Sequence, residues 1–335
     1  MERLSSPQQK VILKAFLERL FLRYEEPVDV TYLMYQEGRL IATGSRLGAV
    51  LKMVAVDPLI QGQNVLATVI STLIKDAAQA GHSHLFLYTT LGTVEKFIPL
   101  GFKPVVRLKH TVMCELGHDI TTHLKMQAES LRLKKPRGAM VINANPLTRG
   151  HAHLIDTLAQ HHPGGLIFVV AEDHSVFPFA DRFEMVSEYA KKHPHLQVLS
   201  TGPYAVSKAS FPSYFLTEAQ VHQDEHARLD ATLFKEYFMP IFHIETRYVG
   251  EEPYSPTTQA YNQALTAVLD DRLVIIPRIE HTGEAISASQ VRKRLKTESI
   301  EACEHLLPKV TLEYLRTERG GMILERLKTR HDRHS

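Results

Sequence analysis

From residue 139 onward the chain alternates short apolar runs with helical stretches, and this alternation constrains the fold more than any other feature. Strands are expected at Ala139–Ile142, Leu166–Ala171, Leu196–Ser200, His243–Val249 and Leu273–Ile276. Helices are expected at His151–Gln160, Asp181–Lys192, Glu225–Tyr237, Thr257–Leu269 and Ser289–Lys296. Each helix returns the chain to the end of the sheet it started from, so the pattern predicts a doubly wound parallel sheet. Ligands of such sheets sit beyond the carboxyl ends of the strands. The turns leaving those ends are therefore where chemistry is expected.

The first such turn reads Asn143-Ala-Asn-Pro-Leu-Thr148-Arg-Gly150-His151. It opens a helix whose His151, Leu154, Ile155 and Leu158 fall at i, i+3, i+4 and i+7. A strand–turn–helix junction aims free backbone N–H groups and a positive helix end at one spot, which suits a polyphosphate. Gly150, with no side chain, lets a phosphate approach the backbone. Downstream, Ile286-Ser287-Ala-Ser289-Gln-Val-Arg292 follows the last strand. Ser287 is placed to cap its helix. Ser289 and Arg292, three apart, share a face on which a hydroxyl and a guanidinium meet phosphate oxygens. Asn143 and Asn145 shape the first turn, and Asn145, which precedes Pro146, is either turn chemistry or a ligand. Arg182 is either a substrate contact or half of a structural ion pair. Gly250 and Glu251, at the end of a strand, stand where ribose or adenine would bind, with a solvated loop acid as the alternative for Glu251.

These two segments resemble the paired signatures of the nucleotidyltransferase superfamily, Thr-x-Gly-His and Ile-Ser-x-Ser-x-x-Arg. Residues 1–118 read as a separate α+β domain. It has a helix over 8–24, a hairpin turning at Glu37-Gly38, a strand at Ala49–Val56 and a long helix at Val65–Ala80. A short strand, a short helix ending at Gly101-Phe102 and two paired strands follow. The order resembles GNAT-type acetyltransferases, whose acyl-CoA pyrophosphate loop corresponds to Gln61-Gly-Gln-Asn64-Val-Leu66. Asn64 and Leu66 replace small residues of that loop and should obstruct phosphate approach. The alternatives there are a docked pantetheine-type arm or a helix start that packs and binds nothing. Residues 119–137, polar and helical over Asp119–Leu133 and then running Lys134-Lys-Pro136-Arg into Gly138, read as a connector to a 138–335 ATP-binding domain.

Taken together, the chain resembles the citrate (pro-3S)-lyase ligase family, through the two turns, Phe177–Phe183, Tyr248–Ser255 and the N-terminal unit. The resemblance implies an AMP-forming acid–thiol ligase that uses ATP and Mg²⁺. Acetate would form acetyl-AMP and pyrophosphate. The thiol of the phosphoribosyl-dephospho-CoA arm on the citrate lyase acyl-carrier subunit would then take the acetyl group, switching the lyase on. It assigns His151, Thr148 and Arg292 to catalysis, and Asn143, Asn145, Gly150, Ser287, Ser289, Arg182, Gly250 and Glu251 to nucleotide binding. Mg²⁺ would be held by ATP phosphates and water, with no metal ligands from the chain.

Composition excludes other classes. With 39 Lys+Arg against 37 Asp+Glu, the +2 balance gives no footprint for nucleic acid or an anionic membrane. No apolar run approaches a membrane helix and no signal-peptide core is visible, so a cytoplasmic protein is expected. Two cysteines build no disulfide framework, and the 19 histidines lack accompanying metal motifs. Three rival readings remain. One is an adenylyltransferase acting on a small phosphate acceptor. Another is an acetyl-CoA-dependent N-acetyltransferase. The third is a non-catalytic carrier-protein adaptor.

Overall fold

The computed structural model describes residues 1–335 except 61–63, 134–137, 173–174, 205–210, 213, 216–218, 252–255, 282–283 and 330–335, with the side chains of 219–223, 256–260, 280–281 and 284–285 also outside the description. The chain divides into two compact units, Met1–His123 with Val206–Leu233, and Leu124–Ala205 with Phe234–Ser335. This differs from the expected 1–118/138–335 division in two ways. The boundary falls inside a helix, Ile120–Glu129, whose Ile120 and Leu124 are buried, where a connector was expected. The stretch 206–233 belongs with the first unit, although it lies between two strands of the second.

In the first unit a short strand β1 (Glu2–Arg3) precedes helix α1 (Pro7–Arg19). That helix is closed by a capping box between Ser6 and Gln9, with Pro7 pre-set for its first turn. Strands β2 (Val30–Gln36) and β3 (Arg39–Leu47) form the expected hairpin, and Glu37 and Gly38 take positive φ values of 51° and 77° at its two-residue turn. Then follow β4 (Val50–Val56), helix α2 (Val65–Gln79), β5 (Leu85–Thr89), β6 (Lys103–Arg107) and β7 (Val112–Leu116). The expected short helix at 93–100 is two 3₁₀ turns. Val65, Val69 and Leu73 of α2 are buried on one face, as their spacing predicts. The sheet runs β1-β2-β3-β4-β5-β7-β6, with β4 and β5 its parallel pair. Helix α3 (Ile120–Glu129) follows, and the unit boundary falls within it.

β4 and β5 pair only at Val50–Phe86 and Leu51–Leu87. A bulge opposite Gly44 puts Met53 at φ 50° and turns β4 away from its neighbour. Separating two strands strands their facing backbone groups. Tyr214, buried, meets them: its hydroxyl donates to the Tyr88 carbonyl at 3.2 Å. A cavity of about 790 Å³ opens from this wedge, walled by Val54, Leu66, Thr89, Phe97 and Tyr214. Tyr214→Phe keeps the ring but removes this donor to the Tyr88 carbonyl, and the expected loss is about 1–3 kcal/mol in a denaturant melt.

The second unit holds β8 (Gly138–Ile142), helix α4 (Arg149–His161), β9 (Gly165–Val169), helix α5 (Phe179–Ala190) and β10 (Leu196–Ser200). Helix α6 (Ala219–Leu233) belongs to the first unit, and its chain continues through a π-helical turn at Phe234–Phe238 into α7 (Met239–Phe242). β11 (Thr246–Gly250), α8 (Pro256–Leu269), β12 (Leu273–Ile276), a small hairpin of β13 (Glu280–His281) and β14 (Glu284–Ala285), α9 (Ala288–Leu295), α10 (Lys309–Leu315) and α11 (Glu318–Thr329) complete it. The sheet order is β10-β9-β8-β11-β12 and every pairing is parallel, as the alternation predicts. One face packs Ile155 and Leu158 of α4 and Met185 and Val186 of α5 on the sheet. On Phe168, the rings of Phe234, Phe238 and Phe242 gather edge-on. Strand order reverses between β8 and β11, which sets the ligand crevice at the carboxyl ends of these two strands.

Candidate functional site

β8 ends at Ile142, and the turn that follows runs straight into the crevice. Thr148 caps α4 in extended conformation, φ −112° and ψ 169°, and its hydroxyl accepts from the His151 N–H at 3.4 Å. His151 closes the reciprocal half of the box. Its Nδ1 accepts from the Thr148 backbone N–H at 3.1 Å and lies 2.9 Å from the Thr148 hydroxyl. An acceptor Nδ1 places the proton of the neutral ring on Nε2, so His151 is held as an Nε2–H donor. Loss of solvent, then the charge of Arg278, push its pKa down to about 4. The ring is therefore uncharged at neutral pH.

Ser287 caps α9, its hydroxyl accepting from the Gln290 N–H at 3.1 Å. Arg292 reaches from the last turn of α9 to the first motif, donating to the Asn145 carbonyl at 2.7 Å and to the Ser289 hydroxyl at 3.2 Å. A Cβ built on Gly150 would lie 3.1 Å from the Ile286 carbonyl. Residues 147 apart in sequence thus meet, and the two strand-to-helix turns form one structure. Both helix N-termini, with their positive partial charge, belong to it. Gly150→Val should force the Ile286 carbonyl back. The expected over-packing cost is roughly 1–3 kcal/mol in a denaturant melt.

The other expected site residues divide. Asn143 and Asn145 serve the turn: the Asn145 side-chain oxygen accepts from the Phe177 N–H at 3.1 Å, and that of Asn143 accepts from Ser175 and Arg182. Gly250 ends β11 against Leu154 of α4, and Glu251 is exposed beside it, its N–H donating to the Ile276 carbonyl. Arg182, expected to bind nucleotide, is corrected. Its side chain is wholly buried, and its guanidinium donates to the carbonyls of Asn143, Val170, Glu172 and Phe177 at 2.7–3.0 Å. It braces the strand ends beneath the first turn. Part of the Tyr248–Ser255 segment and all of Gly283 lie outside the described residues, as does the start of the Gln61–Leu66 loop.

One residue missing from the sequence reading is Arg278, two positions beyond β12. Its Nε donates to the Glu251 carbonyl at 2.6 Å, and its charge acts on His151. The signal was available, since Pro277-Arg278 leaves the carboxyl end of an apolar strand.

The sheet is doubly wound, and its switch point joins two capped strand-to-helix turns and two arginines, an arrangement suited to an anionic ligand. Residues 137–315 match the family model described as the citrate lyase ligase C-terminal domain. The citrate (pro-3S)-lyase ligase of Escherichia coli K12 is 33% identical over 90% of this chain and 88% of its own length; that of Klebsiella pneumoniae is 31% identical over 93% and 94%. The chain belongs to the citrate lyase ligase family and is a ligase-type enzyme. Among solved structures, an acyl-CoA N-acyltransferase from Pseudomonas aeruginosa matches at 12% identity and a TM-score of 0.30, covering 35% of this chain and all of that one. Among the described residues, no helix is long and apolar enough to cross a membrane.

Proposed function

We propose that this chain acetylates the thiol of the prosthetic arm on the citrate lyase acyl-carrier subunit, using ATP and acetate through acetyl-AMP, and so activates the lyase. The reading is supported by its membership of the family and by the convergence of the two turns, in which Arg292 links the second to the first through the Asn145 carbonyl. In the first step an acetate oxygen attacks the ATP α-phosphorus in line. The bond from that phosphorus to the bridging oxygen of the β-phosphate breaks, and pyrophosphate leaves. In the second, the thiol sulfur attacks the acyl carbon, AMP leaves, and the thiol proton passes to solvent.

The chain's part in this chemistry is placement and charge. His151 offers Nε2–H to the α-phosphoryl oxygens. Ser287, Ser289, Arg292 and the two helix N-termini hold the β- and γ-phosphates. Among the described residues no group of three His, Cys, Asp or Glu side chains stands together to hold a metal ion. Mg²⁺ would be held by the ATP phosphates and water and would neutralise phosphate charge there. Acetate-dependent exchange of labelled pyrophosphate into ATP tests the first step. Exchange that requires a phosphate acceptor in place of acetate would turn the reading toward an adenylyltransferase.

A further inference from the structure

Resting on that reading, we infer that Arg278 is a catalytic residue, whose guanidinium supplies the fixed positive charge beside the α-phosphoryl group as the acetate carboxylate attacks. Both reactants are anions, and their mutual repulsion opposes the first step. His151 is a neutral donor and brings no charge to relieve it. Arg292 is anchored at the Asn145 carbonyl and Ser289, on the β- and γ-phosphate side. The α-phosphoryl position needs another cation.

Backbone geometry brings Arg278 there from two directions. On one side, its Nε holds the carbonyl of Glu251, the residue just past β11. Gly250, one residue earlier, packs on Leu154, which lies one turn beyond His151 on the same face of α4. On the other side, the neighbouring Ile279 carbonyl accepts from the Ile286 N–H, and the Ile286 carbonyl lies against Gly150. Arg278 thus sits between the strand end and the second turn, held at the Glu251 carbonyl and one residue from the Ile279 carbonyl that meets Ile286. The fall in the His151 pKa that Arg278 contributes agrees with this placement. The bond to Glu251 also orients the guanidinium, so charge is delivered without reorganisation during the reaction.

Two variants separate charge from bracing. Arg278→Gln keeps an N–H for the Glu251 carbonyl and loses the charge; Arg278→Lys keeps the charge and loses the planar fork. In acetate-dependent ATP–pyrophosphate exchange, Arg278→Gln should lose about a hundred- to a thousandfold in kcat with the KM for ATP changed only severalfold. Arg278→Lys should recover at least tenfold of that loss. Nitrogen-detected NMR of His151 in the full chain gives a readout independent of turnover: its titration midpoint should rise in Arg278→Gln and stay low in Arg278→Lys. Equal kcat in both variants, or a loss shared equally between them with an unmoved His151 titration, would overturn the role of Arg278. Wild-type protein that shows no acetate-dependent exchange would instead overturn the functional reading, and the His151 titration would still report whether the charge stands beside it.

Discussion

His151→Ala should lower acetate-dependent adenylation by roughly two to four orders of magnitude while leaving the fold in place. The size follows from the way the ring is held. Nδ1 is occupied by the Thr148 backbone N–H, so the tautomer is fixed before substrate arrives and Nε2–H is an oriented donor. A preorganised donor of this kind stabilises charge that develops on the α-phosphoryl oxygens and does little for the ground state. The loss should therefore fall in kcat, with the KM for ATP little changed. Truncation also opens the reciprocal half of the capping box, a cost of about 1 kcal/mol on a helix that Thr148 still caps. A circular dichroism melt close to wild type, together with collapsed pyrophosphate exchange, is the expected pair of results. Unchanged exchange would remove His151 from the mechanism.

The same geometry sets the pH dependence. A histidine whose folded pKa is about 4, against an ordinary value of 6.5, is neutral across the physiological range. Protonation favours the unfolded chain between those values. The contribution of His151 to stability is therefore fully present above about pH 6.5 and falls away as pH drops toward 4. Between pH 6 and 8 the exchange rate should show no inflection belonging to this ring.

Much of the active half was legible because its signals are local. Strand, turn and helix at 139–160 are written in consecutive residues, and the alternation that follows leaves few topologies besides the parallel sheet observed. The approach of the Ile286 carbonyl to Gly150 is written in neither turn by itself, and the crevice geometry of the sheet is what joins them. The errors concern partners chosen in three dimensions. Residues 206–233 carry no sequence mark that sends them to the first unit; Tyr214 goes there because β4 and β5 leave backbone groups to satisfy. Arg278 was passed over because a lone arginine after a strand looks like any surface cation. Arg182 was read as a ligand contact or an ion pair, yet its spacing held the answer. Arg182, Met185 and Val186 fall at i, i+3 and i+4 on α5, and all three are buried. An arginine on the inner stripe of a helix needs internal acceptors, and carbonyls at parallel strand ends provide them.

Arg182→Ala should consequently be the most damaging single substitution to stability, at about 3–5 kcal/mol or more, which is a large share of what a domain possesses. Removing the side chain deletes hydrogen bonds to four carbonyls that belong to three different segments: the first turn at Asn143, the end of β9 with Val170 and Glu172, and the approach to α5 at Phe177. Each acceptor loses the donor that the guanidinium gives it, and a void forms beneath the turn. Lysine does not repair this. Its ammonium projects donors from one point, whereas these carbonyls are met by three nitrogens of a planar fork, so Arg182→Lys should remain several kcal/mol below wild type. Guanidinium-chloride unfolding measures the effect, and a midpoint within error of wild type for Arg182→Ala would contradict the bracing role. The effect on function should be secondary and show a particular order. Asn143 and Asn145 reach the crevice through the turn that Arg182 supports. At a temperature where the lysine variant is still folded, ATP binding should therefore weaken before secondary structure is lost, whereas His151→Ala should lose rate with both binding and fold retained.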